Sequence, residues 1–188
     1  MKKLTSILFI IVASVLVSCE GPTGPIGPPG ADAEIGTIFE LHGDFTSGNN
    51  YTLYTEFPND LVVYDSDVVL AYILWDQVDG MDVWRLLPQT VVLKDNGSGE
   101  TDVIQYNFDH TLNDVQVFLE FTVPANELLP SETDDQIFRI AVLPAVSLKK
   151  EGVDISNLSS LMSSPGIQMK SLGKIDLVTN LESNLQIK

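Results

Sequence analysis

Cysteine is almost absent from this chain: of the 188 residues, only Cys19, near the N-terminus, carries a thiol. A single cysteine excludes an intrachain disulfide, a CxxC redox pair and a zinc site of the Cys₂His₂ type. A domain without disulfides has to be stabilised by its hydrophobic core. The roughly 150 residues that follow the N-terminal segments suffice for one such core, because a domain of that size buries about two-thirds of its unfolded surface.

Basic side chains are also scarce, with 10 Lys and Arg against 26 Asp and Glu and a formal net charge of −16. A surface of this sign repels the phosphate backbone, so nucleic acid is not expected as a partner. It equally disfavours electrostatic adhesion to anionic lipid. Any association with a membrane must therefore depend on an interaction other than electrostatic attraction.

No apolar run is long enough for a permanent membrane-spanning helix, which needs about 20 residues. The longest predominantly apolar run, residues 4–17, has 14 residues. It follows Lys2 and Lys3 and precedes the small residue Ser18, an arrangement typical of a secretory signal peptide. We therefore predict a signal peptide over residues 1–18.

The next feature is the tetrapeptide formed by Leu16, Val17, Ser18 and Cys19, which resembles a bacterial lipobox. The resemblance implies that Cys19 receives a diacylglyceryl thioether, that the chain is cleaved before it, and that the new amino group is acylated. The membrane would then be a partner through the lipid on Cys19. The alternative is an ordinary secretory leader in which the cysteine is incidental. Glu20 rather than Asp follows the cysteine, which favours the outer membrane of a diderm bacterium over inner-membrane retention.

Glycine then recurs at every third position, at Gly21, Gly24, Gly27 and Gly30. Only glycine fits the axis of a collagen triple helix, and the interspersed prolines favour polyproline II geometry. At about 3.1 Å per residue, the 12 residues of these four triplets extend over roughly 37 Å. We therefore predict a tether over residues 19–34. Two alternatives remain: a stiff spacer on a monomer, which so few triplets favour, and a stalk that joins a homotrimer.

Together, the lipobox and the Gly-x-y triplets resemble those of small collagen-like lipoproteins of diderm bacteria. The resemblance covers residues 1–30 only. It implies an envelope location and brings no catalytic residues with it.

The remainder of the chain alternates apolar and polar side chains with period two, and turn residues recur at regular spacing. The clearest hairpin brings two sets of apolar residues face to face: Ile104, Tyr106 and Phe108 against Val115, Val117 and Leu119. About eight short strands of this kind predict a mainly β fold, a single antiparallel β-sandwich over residues 35–180. Residues 181–188 are predicted to be a frayed tail.

Two segments depart from simple alternation. Residues 67–75 are apolar on both faces, which predicts a central strand that is covered on both sides. Near the C-terminus, Asp154 or Ser156 is predicted to cap a short helix that ends at Pro165-Gly166. A last strand is predicted at residues 174–178.

Catalytic fingerprints are missing from the sequence. It contains no G-x-S-x-G elbow, H-E-x-x-H motif, P-loop or G-x-G-x-x-G loop. His42 and His110 are far apart in sequence, and Asp109 points to the opposite strand face from His110. We therefore predict that the protein is not an enzyme and needs no cofactor or metal. Because carboxylates are abundant, a hydrolase with a carboxylate pair remains the less favoured alternative.

Two features suggest a ligand instead. Trp75 and Trp84 flank the Asp76–Asp82 turn and could stack on sugar rings, although core packing is the alternative. Residues 95–102 are rich in oxygen ligands for calcium, although their spacing differs from the EF-hand loop and a plain turn is the alternative. The sequence thus favours a lipid-anchored, non-enzymatic envelope protein with a structural or binding role, with a glycan- or calcium-binding module as the alternative. It identifies no protein or glycan partner.

Overall fold

The computed structural model describes residues 34–93, 101–149 and 152–177. Within these ranges the chain forms nine strands and two short helices. The strands are β1 (Glu34–Gly43), β2 (Thr52–Glu56), β3 (Asp67–Val78), β4 (Met81–Leu86), β5 (Gln89–Val92), β6 (Val103–His110), β7 (Asp114–Phe121), β8 (Gln136–Pro144) and β9 (Ile167–Asp176). The helices are α1 (Pro130–Thr133) and α2 (Leu158–Met162). Neither helix is long and apolar enough to cross a membrane, nor is any other helix in the described ranges.

The strands assemble into two sheets that pack against each other. Sheet A has the strand order β4-β3-β8-β1-β9, and sheet B has the order β2-β7-β6-β5. The predicted mainly β sandwich with a short helix near the C-terminus is therefore confirmed. One pairing departs from the antiparallel prediction, because β9 runs parallel to β1.

The prediction for the last strand was wrong in its boundaries. The predicted strand covers residues 174–178, whereas β9 already begins at Ile167. As an edge strand, β9 exposes half of its residues and lacks the alternation that marks a half-buried strand. Its position follows from pairing with β1, which no local pattern in the sequence reveals.

The main core lies between the sheets. Phe39 of β1 and Ile140 of β8 pack in one cluster with Ile104 of β6 and Val117 of β7. The predicted β6–β7 hairpin is confirmed, with Val117 opposite Phe108 in the pairing register. A shift of one residue would turn this apolar set towards solvent, so core burial determines the register.

A second, smaller core covers part of the outer face of sheet A. Leu70 and Tyr72 of β3 pack in one cluster with Leu158 and Leu161 of α2. Burial of a leucine side chain contributes about 1.5–3 kcal/mol. A five-residue helix is not stable alone, so side-chain packing holds α2 in place. The prediction that the 67–75 strand is covered on both sides is confirmed.

The cap of this helix differs from the predicted one. Asn157, not Asp154 or Ser156, is the N-cap, and its side-chain oxygen accepts a 2.8 Å hydrogen bond from the backbone nitrogen of Ser160. Asp154 instead accepts a 2.9 Å hydrogen bond from the backbone nitrogen of Ser156. Asp154 therefore stabilises the turn that precedes the helix, because its carboxylate accepts a hydrogen bond from a backbone nitrogen outside the helix.

Candidate ligand-binding site

Most sequence-predicted site residues lie outside the part of the chain that the structure describes. These residues are Leu16, Val17, Ser18, Cys19, Gly21, Gly24, Gly27 and Gly30. Residues 94–100, which include most of the candidate calcium loop, also lie outside it. In the described ranges, no group of three or more histidine and acidic side chains is arranged to hold a metal ion.

The two tryptophans lie within the described residues, but the structure does not bring them together. Trp75 packs against the core between the sheets, whereas Trp84 belongs to the cluster on the outer face of sheet A. A register shift between Leu74 and Asp76 leaves Trp75 without a directly opposed residue and pairs Trp84 with Leu74. This one-residue irregularity places the two rings on opposite faces of the sheet.

Each tryptophan ring has an arginine over it. The guanidinium carbon of Arg85 lies 4.1 Å from the ring centroid of Trp75, and that of Arg139 lies 4.2 Å from Trp84. Trp84 is also only 6% exposed. A sugar could stack on the covered face of either ring only by displacing the arginine, which would forfeit about 0.5–2 kcal/mol of cation–π attraction.

The histidines are placed very differently from each other. His110 is exposed, and its Nδ1 lies 3.0 Å from the carbonyl oxygen of Thr111. Asp109 does not orient His110, because its carboxylate accepts a hydrogen bond from Gln116. Among the described residues, no serine or threonine hydroxyl is hydrogen-bonded to either imidazole. The arrangement needed to activate a hydroxyl nucleophile is therefore not seen in this part of the chain.

His42 has carboxylate neighbours that sequence reasoning missed. Its Nε2 lies 3.4 Å from Oδ1 of Asp135, and its Nδ1 lies 3.5 Å from Oδ2 of Asp176. Asp135 follows α1, and Asp176 ends β9, so both come from distant parts of the sequence. The imidazole therefore bridges three segments at one edge of the sandwich.

A concave region lined by charges of both signs lies beside α2, on the outer face of sheet A. It consists of two adjoining clefts that share Arg139 and Met162. The first, of about 340 Å³, is also lined by Ile38, Phe39, Glu40, Ser171, Gly173 and Lys174. The second, of about 450 Å³, is also lined by Met81, Asp82, Trp84, Leu158, Ser159 and Ser163. We call this pair the Arg139 clefts.

Strand register determines which charges meet there. Tyr72, Arg139, Glu40 and Lys174 occupy adjacent positions across β3, β8, β1 and β9. Nε of Arg139 lies 3.5 Å from Oε2 of Glu40, and the Arg139 side chain remains 36% exposed. Arg139 and Lys174 thus flank Glu40 in the first cleft, whereas the second cleft adds the carboxylate of Asp82.

Two other concave regions have less suitable chemistry. One, of about 330 Å³, adjoins Tyr106, whose hydroxyl donates a 2.9 Å hydrogen bond to the carbonyl of Glu132. Burial raises the pKa of Tyr106 to about 12, and the charged residues that line this region, Glu132 and Asp135, are both acidic. The other is an open groove of about 740 Å³ whose charged lining residues, Glu56 and Asp114, are both acidic. The Arg139 clefts are therefore the candidate ligand-binding site.

Comparisons of the chain with protein-family models, with curated proteins and with solved structures found no match.

Proposed function

We propose that this chain is a lipid-anchored, non-enzymatic protein of the cell envelope whose β-sandwich has a binding role. The observation that carries the anchoring is the position of the sole cysteine, directly after Leu16, Val17 and Ser18. Several acyl chains on Cys19, at about 0.8 kcal/mol per buried CH₂, make attachment effectively permanent. The lipid thus supplies the membrane affinity that an acidic surface does not.

The residues between the anchor and the sandwich support a stand-off role. Gly21, Gly24, Gly27 and Gly30 alternate with prolines that favour an extended chain. A semi-rigid segment of this kind holds an acidic domain away from anionic headgroups, which would repel it. In this proposal the protein belongs to the outer membrane of a diderm bacterium.

The binding role rests on the Arg139 clefts. Their volumes, about 340 and 450 Å³, fall in the range of small-molecule sites, roughly 300–1,000 Å³. Arg139, Glu40 and Lys174 supply directional polar groups, and Ile38 and Met162 supply apolar surface. This combination suits binding, and it does not provide a nucleophile with an adjacent base.

Cell fractionation of a Cys19→Ala variant tests the anchoring. We expect the wild-type chain in the membrane fraction, and we expect the variant as an uncleaved precursor or in the soluble fraction. Globomycin, which blocks lipoprotein signal peptidase, should likewise cause the wild-type precursor to accumulate. Ser18→Ala keeps a small residue before the cysteine and is the matched control, which should fractionate as the wild type does. Unchanged fractionation of Cys19→Ala would contradict the proposal.

A further inference from the structure

We infer that Arg139 binds the carboxylate of a small amphipathic monoanion whose apolar part lies in the clefts on either side of Met162. This inference names a ligand class for the binding role and rests on that proposed role. It depends on four observations: the fixed position of Arg139, its unused donors, the charges beside it, and the apolar lining of the clefts.

Arg139 is held in place by two contacts of different kinds. Its guanidinium lies over Trp84, a ring that is itself buried in the outer core, and its Nε faces Glu40 at 3.5 Å. Ordering a long side chain on ligand binding normally reduces affinity. An arginine that is already ordered avoids most of that cost.

The end of the Arg139 side chain retains donors for a ligand. The contact to Glu40 uses Nε, and neither terminal nitrogen has a hydrogen-bond partner among the residues described by the structure. Two parallel N–H groups of a guanidinium match the two oxygens of a carboxylate. Because Arg139 lines both clefts, a carboxylate bound there can direct the rest of the molecule into either one.

The neighbouring charges select a single negative charge. Glu40 lies between Arg139 and Lys174 in the register, so a monoanion in the first cleft gains from two cations and meets one carboxylate. The second cleft adds Asp82, whose carboxylate accepts a hydrogen bond from Gln77. A second negative charge would meet repulsion from Glu40 and from a chain of net charge −16. A carboxylate is therefore favoured over a phosphate monoester, which approaches two negative charges at neutral pH.

The apolar lining selects the rest of the molecule. Ile38 and Met162 line the first cleft, and Met81, Trp84 and Leu158 line the second. Met162 is 48% exposed and separates the clefts with a flexible thioether side chain that adapts to irregular ligands. A short aliphatic or aromatic body would gain about 25 cal/mol for each Å² of apolar surface that it buries there.

Titration of the purified full chain with hexanoate tests the inference. Binding is followed by calorimetry and, in a Trp75→Phe background, by the fluorescence of Trp84, with a detergent-only blank. We expect saturable binding of hexanoate, with hexanol and hexyl phosphate each bound roughly tenfold or more weakly. Absence of saturation by about 20 mM hexanoate, or equal affinity for hexanol, would overturn the inference.

A matched pair of arginine variants locates the site. Arg139→Gln should weaken hexanoate binding roughly tenfold or more, because it removes the charge and the two-nitrogen fork. Arg85→Gln removes the same charge from the equivalent stack on Trp75, on the opposite face, and should leave the affinity within about twofold. Equal losses in the two variants would show a net-charge effect and overturn the site.

Two further variants protect the test against misfolding of Arg139→Gln. Lys174 is exposed, and Lys174→Gln should weaken hexanoate binding about threefold. Glu40→Gln should tighten it, because glutamine keeps an oxygen acceptor facing Nε of Arg139 and removes the repelling charge. Unchanged affinity in both would also overturn the site. Anchoring is measured separately, by cell fractionation. A chain that fractionates with membranes and fails to bind hexanoate contradicts only the carboxylate site. A chain that is found in the soluble fraction and binds hexanoate contradicts only the anchor.

Discussion

The hydroxyl of Tyr72 donates a 2.8 Å hydrogen bond to the carbonyl oxygen of Ile155. Tyr72 is fully buried, so this bond joins sheet A to the segment that covers its outer face. We expect Tyr72→Phe to lower the free energy of unfolding by about 1–2 kcal/mol, because the carbonyl loses its donor where water has little access. Urea denaturation measures the loss. Tyr64→Phe, at an exposed tyrosine, should change stability by less than about 0.5 kcal/mol.

Tyr106 should make the fold sensitive to alkali. Burial, and secondarily Glu132, raises the pKa of Tyr106 from its ordinary 10.0 to about 12. The folded state therefore keeps a proton that the unfolded state loses, so stability is full below pH 10 and falls as pH rises towards 12. Tyr106→Phe lacks this titration. We expect the free energy of unfolding of the wild type to fall, relative to that of the variant, by roughly 1 kcal/mol from pH 8 to pH 11. An unchanged difference would contradict the raised pKa of Tyr106.

Asn157 and Asp154, the two side-chain acceptors that precede α2, should contribute differently to stability in acid. Asn157→Ala should cost about 1 kcal/mol at pH 6 and pH 3 alike, because an uncharged cap is lost. Hydrogen bonds from Ser156 hold the pKa of Asp154 below its ordinary 3.8. Asp154 therefore stabilises the fold above about pH 4, and this contribution is lost as pH falls. Denaturation at both pH values should show that only the effect of Asp154→Asn shrinks in acid.

Adjacent residues of α2 should differ sharply in their contribution to stability. Leu161 is completely buried against sheet A, whereas Met162 is 48% exposed. We expect Leu161→Ala to cost about 2–5 kcal/mol, since it removes transfer free energy and leaves a cavity. Met162→Ala, the control, should cost less than about 1 kcal/mol. Similar costs for the two in thermal or urea unfolding would mean that α2 does not pack as described.

The tether should not drive association. Four Gly-x-y triplets are too few for a stable triple helix, so we expect a soluble chain that begins at Glu20 to sediment as a monomer. Deletion of residues 21–30 should leave this oligomeric state unchanged. A trimer that dissociates on this deletion would instead favour the collagen-like stalk.

Local patterns predicted the elements whose own sequence shows which side chains are buried. The β6–β7 hairpin follows from the alternation of Ile104, Tyr106 and Phe108, because a wrong register would expose that apolar set. The double coverage of β3 follows from residues 67–75, which are apolar on both faces. These inferences needed no knowledge of the rest of the chain.

The candidate site was not predictable in the same way. Arg139 meets Glu40 and Trp84 from two other strands, and no spacing in the sequence indicates those contacts. For the two tryptophans, a shift of one residue in the pairing register decides whether they lie opposite each other. The two-residue turn pairs Val78 with Met81, and an uninterrupted ladder would set Trp75 opposite Trp84; the register shift at Trp75 separates them.

The position of β1 in sheet A has a consequence for how the chain is made. The first strand of the sandwich is hydrogen-bonded on one side to β8 and on the other to β9, the last two strands in sequence among the described residues. Such long-range pairing is slow to form, because a large loop must close before any contact stabilises it. A nascent or truncated chain that lacks residues after Pro144 cannot complete this sheet. Sheet A is therefore complete only when residues 136–176 are present.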